Sequence, residues 1–386
     1  MADVLLVVGA TLAVALVFGE VLERLGEPAL VGEIVAGLVL GPSVVGLIDY
    51  DGTFAVFATI GAMLLFFDVG YEHLDLTELL AVGPAAISIG LCGMVVPAAT
   101  GVALGLAFGY GAVETAFLAL ALSVTSIAVT ARTLVDLERL ESRIGHRIVG
   151  AAVVDDVLGL LAFALLLTTV SGEGFQAAVT TLGKVIVFFA AVAVARFGIV
   201  AWLSSLLARS RQIGVDVLAL LSAVFLGSYG AEAAGLDVTI GALVVGLLVG
   251  ENERFSRLEV REGIVGIGYG VFIPIFFAGV GARIDLRVLS TLDAFLIAVV
   301  TLGVVSKFVG GLVGNAIAGG DVGESVAIGV GMVPKAGVGL AIVGTALTEG
   351  YVTRQLFSAF VLLVLVSVLV TPSLLQIAIR RMTAFE

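Results

Sequence analysis

Oily runs, each about as long as a bilayer is thick, follow one another with short polar breaks along nearly the whole chain. A helix needs about 20 apolar residues to span the hydrocarbon core. A window of that length predicts about thirteen segments, at 4–22, 29–48, 53–71, 81–108, 113–133, 145–170, 176–203, 214–234, 236–250, 263–282, 291–317, 323–348 and 355–379. The alternating pattern of a membrane β-barrel is absent. The fold class expected is therefore an all-α polytopic membrane protein. The first run, Val4–Leu22, lacks a basic leader and a small-residue cleavage site, so it reads as a retained helix. No appended soluble domain is expected at either end.

The basic residues sort by loop. One set of loops carries Arg24, Arg132, Arg139, Arg143, Arg147, Arg209, Arg211, Arg254, Arg257, Arg261, Arg380 and Arg381, and the other carries Arg283, Arg287 and Arg354. The positive-inside rule then puts the C-terminus in the cytoplasm and the N-terminus outside. An odd number of crossings is needed for that alternation. The fourth to sixth segments and the eleventh to thirteenth form two three-helix groups, each with one helix interrupted by small or helix-breaking residues. Their odd separation gives them opposite orientation, the arrangement of an inverted repeat. This expectation rests on hydropathy, with no clear internal repeat in the residues themselves.

Composition narrows the function classes. The chain of 386 residues is 60% hydrophobic and 13% charged, against roughly 25% charged in soluble domains. Fifty glycines suit close helix packing and broken helices. One cysteine, Cys92, excludes an intramolecular disulfide, and two histidines, His73 and His146, argue against a multi-histidine metal centre. The net charge of −12, concentrated in short loops, opposes nucleic-acid binding.

Against this background the charges at membrane depth stand out. Asp155 and Asp156 lie side by side in Gly150-Ala-Ala-Val-Val-Asp-Asp-Val-Leu-Gly-Leu160. A carboxylate there costs about 2.5–3.5 kcal/mol on insertion scales, so the pair marks a functional site. Neighbours on a helix point about 100° apart, so the two acids face different surroundings. Lys307, near the centre of the eleventh segment, needs a carboxylate partner or must lose its proton; either aspartate would serve. The fifth segment carries Ser123, Thr125, Ser126 and Thr130, whose hydroxyls can bridge freed backbone groups or ligate a small hard cation. In the twelfth, Pro334 with Gly337 and Gly339 is expected to break the helix. Two broken helices crossing near the midplane would aim opposed half-helix ends at one place, and Lys335 would offset a negative end. Glu33, Asp68, Lys184, Arg196, Asp216, Glu232 and Asp293 are less telling, and His73 reads as an ordinary surface histidine.

With these residues in view, the chain resembles the cation/proton antiporters of the sodium–proton exchanger superfamily, in their electrogenic branch. The likeness runs over nearly the whole chain. It is carried by Leu25–Ser43 (LGEPALVGEIVAGLVLGPS), by Thr130-Ala-Arg-Thr-Leu134, by Gly150–Leu160, by Ile273-Pro-Ile-Phe-Phe-Ala-Gly-Val-Gly281 and by Lys307. The resemblance implies a homodimer. It divides the chain into a dimerisation domain, residues 1–71 and 176–282 (the latter including a linker helix), and a mobile core of residues 81–170 and 291–379. It implies that Asp156 binds the cation or a proton, that Asp155 pairs with Lys307, and that Thr125 and Ser126 lie beside the site. Electroneutral relatives have Asn before the essential Asp, so Asp155 points to the electrogenic class. One departure is Ala336, where many relatives carry an acid after the basic residue.

The function expected is secondary active exchange of sodium, or lithium, for protons across the cell membrane, without a cofactor. The partners are the bilayer, a second copy and small monovalent cations. Potassium/proton exchange is the alternative. An intramembrane aspartyl protease fits poorly, because adjacent aspartates on one helix diverge and no Gly-x-Gly-Asp motif occurs. A sensor would need an attached signalling domain, and a channel would show steady conductance.

Overall fold

The computed structural model describes residues 2–50, 52–74, 76–171, 176–207, 214–250, 252, 254–255, 258–284, 286 and 293–383. Arg209, Arg211, Arg257 and Arg287, used above for orientation, lie outside that set. Every regular element among the described residues is helical. The chain opens with α1 (Ala2–Arg24), α2 (Ala29–Leu40), α3 (Gly52–Glu72), a short α4 (Leu76–Ala81) and α5 (Gly83–Ala107). A broken pair, α6 (Ala112–Ser123) and α7 (Ile127–Asp136), precedes α8 (Arg143–Ser171). Next come α9 (Gln176–Phe197), α10 (Ile199–Leu207), α11 (Val215–Ala233) and α12 (Val238–Gly250). Helix α13 (Leu258–Ile267) runs through a π-helical turn, Gly268–Phe272, into α14 (Ile273–Ala282). The last third holds α15 (Ala294–Ile317), a second broken pair, α16 (Val322–Gly331) and α17 (Gly337–Thr348), and α18 (Arg354–Thr383).

Ten helical stretches among the described residues are long and apolar enough to cross a bilayer, counting α6 with α7 and α13 with α14; α2, α12, α16 and α17 are shorter apolar helices. Two expected segments change. The run 29–48 is helical only to Leu40, because Gly41 turns extended (ψ 179°) and Pro42 follows. The run 176–203 divides at Gly198 into α9 and α10.

Two helix groups emerge from the packing. Helices α5 to α8 pack with α15 to α18, and α1 to α3 pack with α11 to α14, while α9 leans on α8 and α10. The first group holds an inverted repeat. Helix α5 ends at Gly109 (φ 75°) and α15 at Gly319 (φ 77°), the left-handed conformation that glycine adopts without penalty. Tyr110 N then donates to Gly105 O, and Gly320 N to Asn315 O, both at 2.9 Å. One turn later Glu114 caps the Gly111 N–H of α6 at 3.1 Å, and Asp321 caps the Glu324 N–H of α16 at 2.8 Å. The two first helices run antiparallel: Gly310 abuts Cys92 and Gly93, whereas Gly314, further on, abuts Ile89, further back.

The second group repeats too, which hydropathy alone did not reveal. Gly26 (φ 85°) precedes α2, and Gly235 (φ 88°) precedes α12. Gly32, Gly37 and Gly41 have counterparts at the same offset in Gly241, Gly246 and Gly250, and each lies against another helix's backbone. A Cβ on Gly37 would stand 1.8 Å from Ala278 O, and one on Gly246 would stand 2.3 Å from Phe67 O. Small residues let these backbones approach, as membrane helix packing requires.

Candidate ion site at the crossing of two broken helices

The two interruptions meet. Val124–Ser126 separates α6 from α7, and residues 332–336 separate α16 from α17. Ser126 N donates to Pro334 O at 2.8 Å, and Thr130 Oγ1 to Gly331 O at 2.6 Å. Breaking a helix in a membrane frees carbonyls and amides that lipid cannot satisfy. Here each break answers part of the other.

Lysines answer the rest. Lys335 Nζ donates to Leu122 O at 2.6 Å and Val124 O at 2.5 Å, at the C-terminal end of α6, where the helix dipole is negative. Lys307 Nζ, from the middle of α15, donates to Gly93 O at 2.8 Å, to Ser123 O and to Asp155 Oδ1 at 3.2 Å. Lys307 is fully buried, and Lys335 and Asp155 are each only 1% exposed.

The repeat shows in how each break is held. Thr125 N donates to Asp155 Oδ2 at 2.7 Å, and Lys335 N donates to Ser367 Oγ at 3.1 Å. In both cases the third helix of the repeat, α8 or α18, supplies a polar side chain to the exposed backbone amide of its own broken helix. One member is a carboxylate and the other a hydroxyl. That asymmetry puts the negative charge on the α8 side, within reach of Lys307. Ser367 was not among the residues expected at the site; its signal was a lone hydroxyl in the oily run Val361–Val370.

Asp156, the next residue, is placed differently. It is partly exposed, and among the described residues no hydrogen bond or ion pair engages it. Asp237, in the turn between α11 and α12, acts on it electrostatically, as do Asp155 and Lys307. Around it, Val157 and Leu160 pack on Leu236 and Ile240, so α8 meets the second helix group here. Thr125 Oγ1 is buried with no hydrogen-bond partner, and Ser126 is half-buried. The arrangement thus holds one satisfied carboxylate and one unsatisfied carboxylate, with an unclaimed hydroxyl oxygen on the break. Hard oxygens of this kind suit a small monovalent cation, and the free carboxylate suits a proton equally.

Several other charges have structural partners. Arg147 Nη1 donates to Asn315 Oδ1 at 2.6 Å and Glu324 Oε2 at 3.1 Å, tying α8, α15 and α16 together. Arg254 pairs with Asp216 at 2.7 Å, and Asp293 caps Leu296 N at 2.8 Å. The His73 ring lies 3.3 Å from Glu141 and 3.9 Å from Asp68.

A sequence model of the family described as "Sodium/hydrogen exchanger, transmembrane" matches residues 9–381. The chain belongs to the sodium/hydrogen exchanger family. The exchanger is 29% identical over 361 residues to the Na(+)/H(+)-K(+) antiporter GerN of Bacillus cereus, covering 93% of this chain and 92% of that protein. It is 30% identical over 407 residues to the high-affinity Na(+)/H(+) antiporter NhaS3 of Synechocystis, covering 93% and 86%. Its fold matches the solved structure of the sodium proton antiporter MjNhaP1 from Methanocaldococcus jannaschii with a TM-score of 0.69 at 13% identity, over 98% of this chain and 99% of that one. The exchanger is an integral membrane transporter of the cation/proton antiporter superfamily, not an enzyme.

Proposed function

We propose that this exchanger carries sodium one way and protons the other by alternating access, with the two ions competing for Asp156. The observation that supports this most is the split between adjacent acids. Asp155 is held by Lys307 and the Thr125 amide, while Asp156 has no partner among the described residues and is partly exposed. A bare carboxylate at membrane depth is expensive to move through a hydrophobic barrier. Sodium neutralises it, and so does a proton. The core therefore moves cheaply only when loaded, and one site can hold only one of the two. Coupling follows without ATP.

Lys307 makes the exchange electrogenic in this reading. A cation at Asp156 draws Asp155 toward it, the Lys307 ammonium loses its counter-charge in a buried place, and its proton leaves. More than one proton then departs per sodium. The reading carries the rest of the family plan: about thirteen crossings, a mobile core of residues 81–170 and 291–379, and a homodimer formed through residues 1–71 and 176–282. It sets the protein in the cell membrane, with the N-terminus outside and the C-terminus in the cytoplasm.

Potassium is a second candidate cargo, because GerN carries both ions in its name at similar length and identity. The test is flux in sealed proteoliposomes with imposed sodium or potassium gradients, a pH dye and a potential probe. Sodium-driven proton flux with a developing potential is expected, and Asp156→Asn abolishes it. Coupled flux that persists in Asp156→Asn overturns the assignment. Conductance without counter-transport overturns antiport itself.

A further inference from the structure

The two helix groups are also bridged away from the ion site by a set of buried charges that the mechanism above does not use. Arg132, on α7 of the core group, is 9% exposed, and Glu33, on α2 of the other group, is 7% exposed. Arg132 Nε donates to Asp136 Oδ1 at 2.8 Å on its own helix. Its guanidinium lies 4.5 Å over the ring of Tyr269. Tyr269 sits in the π-helical turn Gly268–Phe272 and is fixed by its hydroxyl, which donates to Asp68 Oδ2 at 2.9 Å. Such single π turns recur at functional positions.

This leaves two buried polar atoms, one on a base and one on an acid, without hydrogen-bond partners. Arg132 Nη1 and Glu33 Oε2 both lack hydrogen bonds, and each side chain acts electrostatically on the other. They belong to different helix groups. A buried guanidinium N–H left without an acceptor costs the desolvation of that group. When α7 moves relative to α2 and the guanidinium leaves the Tyr269 ring, Asp136 travels with it, and Glu33 Oε2 is a buried oxygen still free to accept from Arg132 Nη1.

We infer that Arg132 is a positioning residue that exchanges partners during transport, resting on Tyr269 in this conformation and pairing with Glu33 in the opposite one. This rests on the alternating-access reading. It predicts that Glu33 matters for turnover and not for the stability of the conformation described, because Glu33 Oε2 bonds nothing here.

The experiment is a double-mutant cycle on sodium-driven proton flux in proteoliposomes, with melting temperature in detergent measured in parallel. Glu33→Gln is expected to lower kcat by at least about fivefold, the low end of typical coupling between two states, without lowering the melting temperature. In an Arg132→Gln background, Glu33→Gln is expected to have no further effect. A Glu33→Gln protein that turns over at the wild-type rate overturns the inference, as do effects of the two substitutions that simply multiply, or a fall in kcat matched by a fall in melting temperature. Should Glu33→Gln fail to accumulate, Glu33→Asp, which keeps the charge but shortens the arm, must still slow turnover. Asp156→Asn separates the two ideas: coupled flux surviving in that variant removes the transport reading, whereas its loss, with Glu33→Gln unaffected, removes only the partner exchange.

Discussion

Ser126 and Pro334 join the two interrupted helices at their breaks, amide to carbonyl at 2.8 Å. Neither helix could be interrupted alone at this depth, since the freed backbone groups would face hydrocarbon. The crossing is therefore one cooperative unit, completed by Thr130 on Gly331 and by Lys335 on Leu122 and Val124. Removing either side chain leaves buried carbonyls bare, at about 1–3 kcal/mol for each group lost. Lys335→Ala is expected to lower the melting temperature more than Thr130→Val, because it strips two carbonyls and a positive charge from one helix end. Thermal unfolding in detergent ranks them, and the reverse order would refute the argument.

The Asp155–Lys307 pair predicts a different pattern. Breaking a buried ion pair from one side costs about 3–5 kcal/mol, while replacing both partners with neutral groups is often close to harmless. Asp155→Asn and Lys307→Met are each expected to destabilise the protein, and the double variant to regain the ion-pair part of the loss but not the part due to the Gly93 and Ser123 carbonyls left bare. The double variant should also lose the electrogenic component while any surviving exchange becomes electroneutral. Additive destabilisation in the cycle would show that the 3.2 Å contact contributes nothing.

Competition for Asp156 fixes the sign of the pH dependence. Lowering the pH fills the site with protons, so the half-saturating sodium concentration rises as pH falls. Each proton released on binding adds up to about tenfold per pH unit, so the rise exceeds tenfold where Asp156 and Lys307 both give up a proton. Saturating sodium should restore the maximal rate. Flux titrations at several pH values check this; a half-saturating concentration independent of pH would exclude a shared site.

The two glycine-lined contacts of the second helix group should behave alike, because they are copies. Ala at Gly37 or at Gly246 puts a methyl group into the backbone of the facing helix. Each substitution is expected to cost about 1–3 kcal/mol by overpacking. A methyl group at Gly344, outside the proposed dimer contact, would meet nothing within 4 Å, so Gly344→Ala serves as the control. Melting temperatures of the three variants decide the matter.

Much of this was legible in one dimension. Hydropathy delivered the all-helical membrane fold and most span positions, since the cost of exposing polar groups to lipid is written residue by residue. The cost of charge in hydrocarbon singled out Asp155, Asp156 and Lys307, and proline, glycine and hydroxyl residues marked both breaks. Residue chemistry left open which aspartate takes the lysine, and the family resemblance implied Asp155; the tertiary structure sets Lys307 against Asp155 and leaves Asp156 without a hydrogen bond or ion pair among the described residues, because that depends on helix rotation and on what stands opposite. Only it matched Ser367 to Asp155, turned His73 toward Glu141, and set Glu33 near Arg132 across the two groups. The physical reason is range: burial cost belongs to each residue's own stretch of chain, whereas a partner is chosen by packing between segments far apart in sequence.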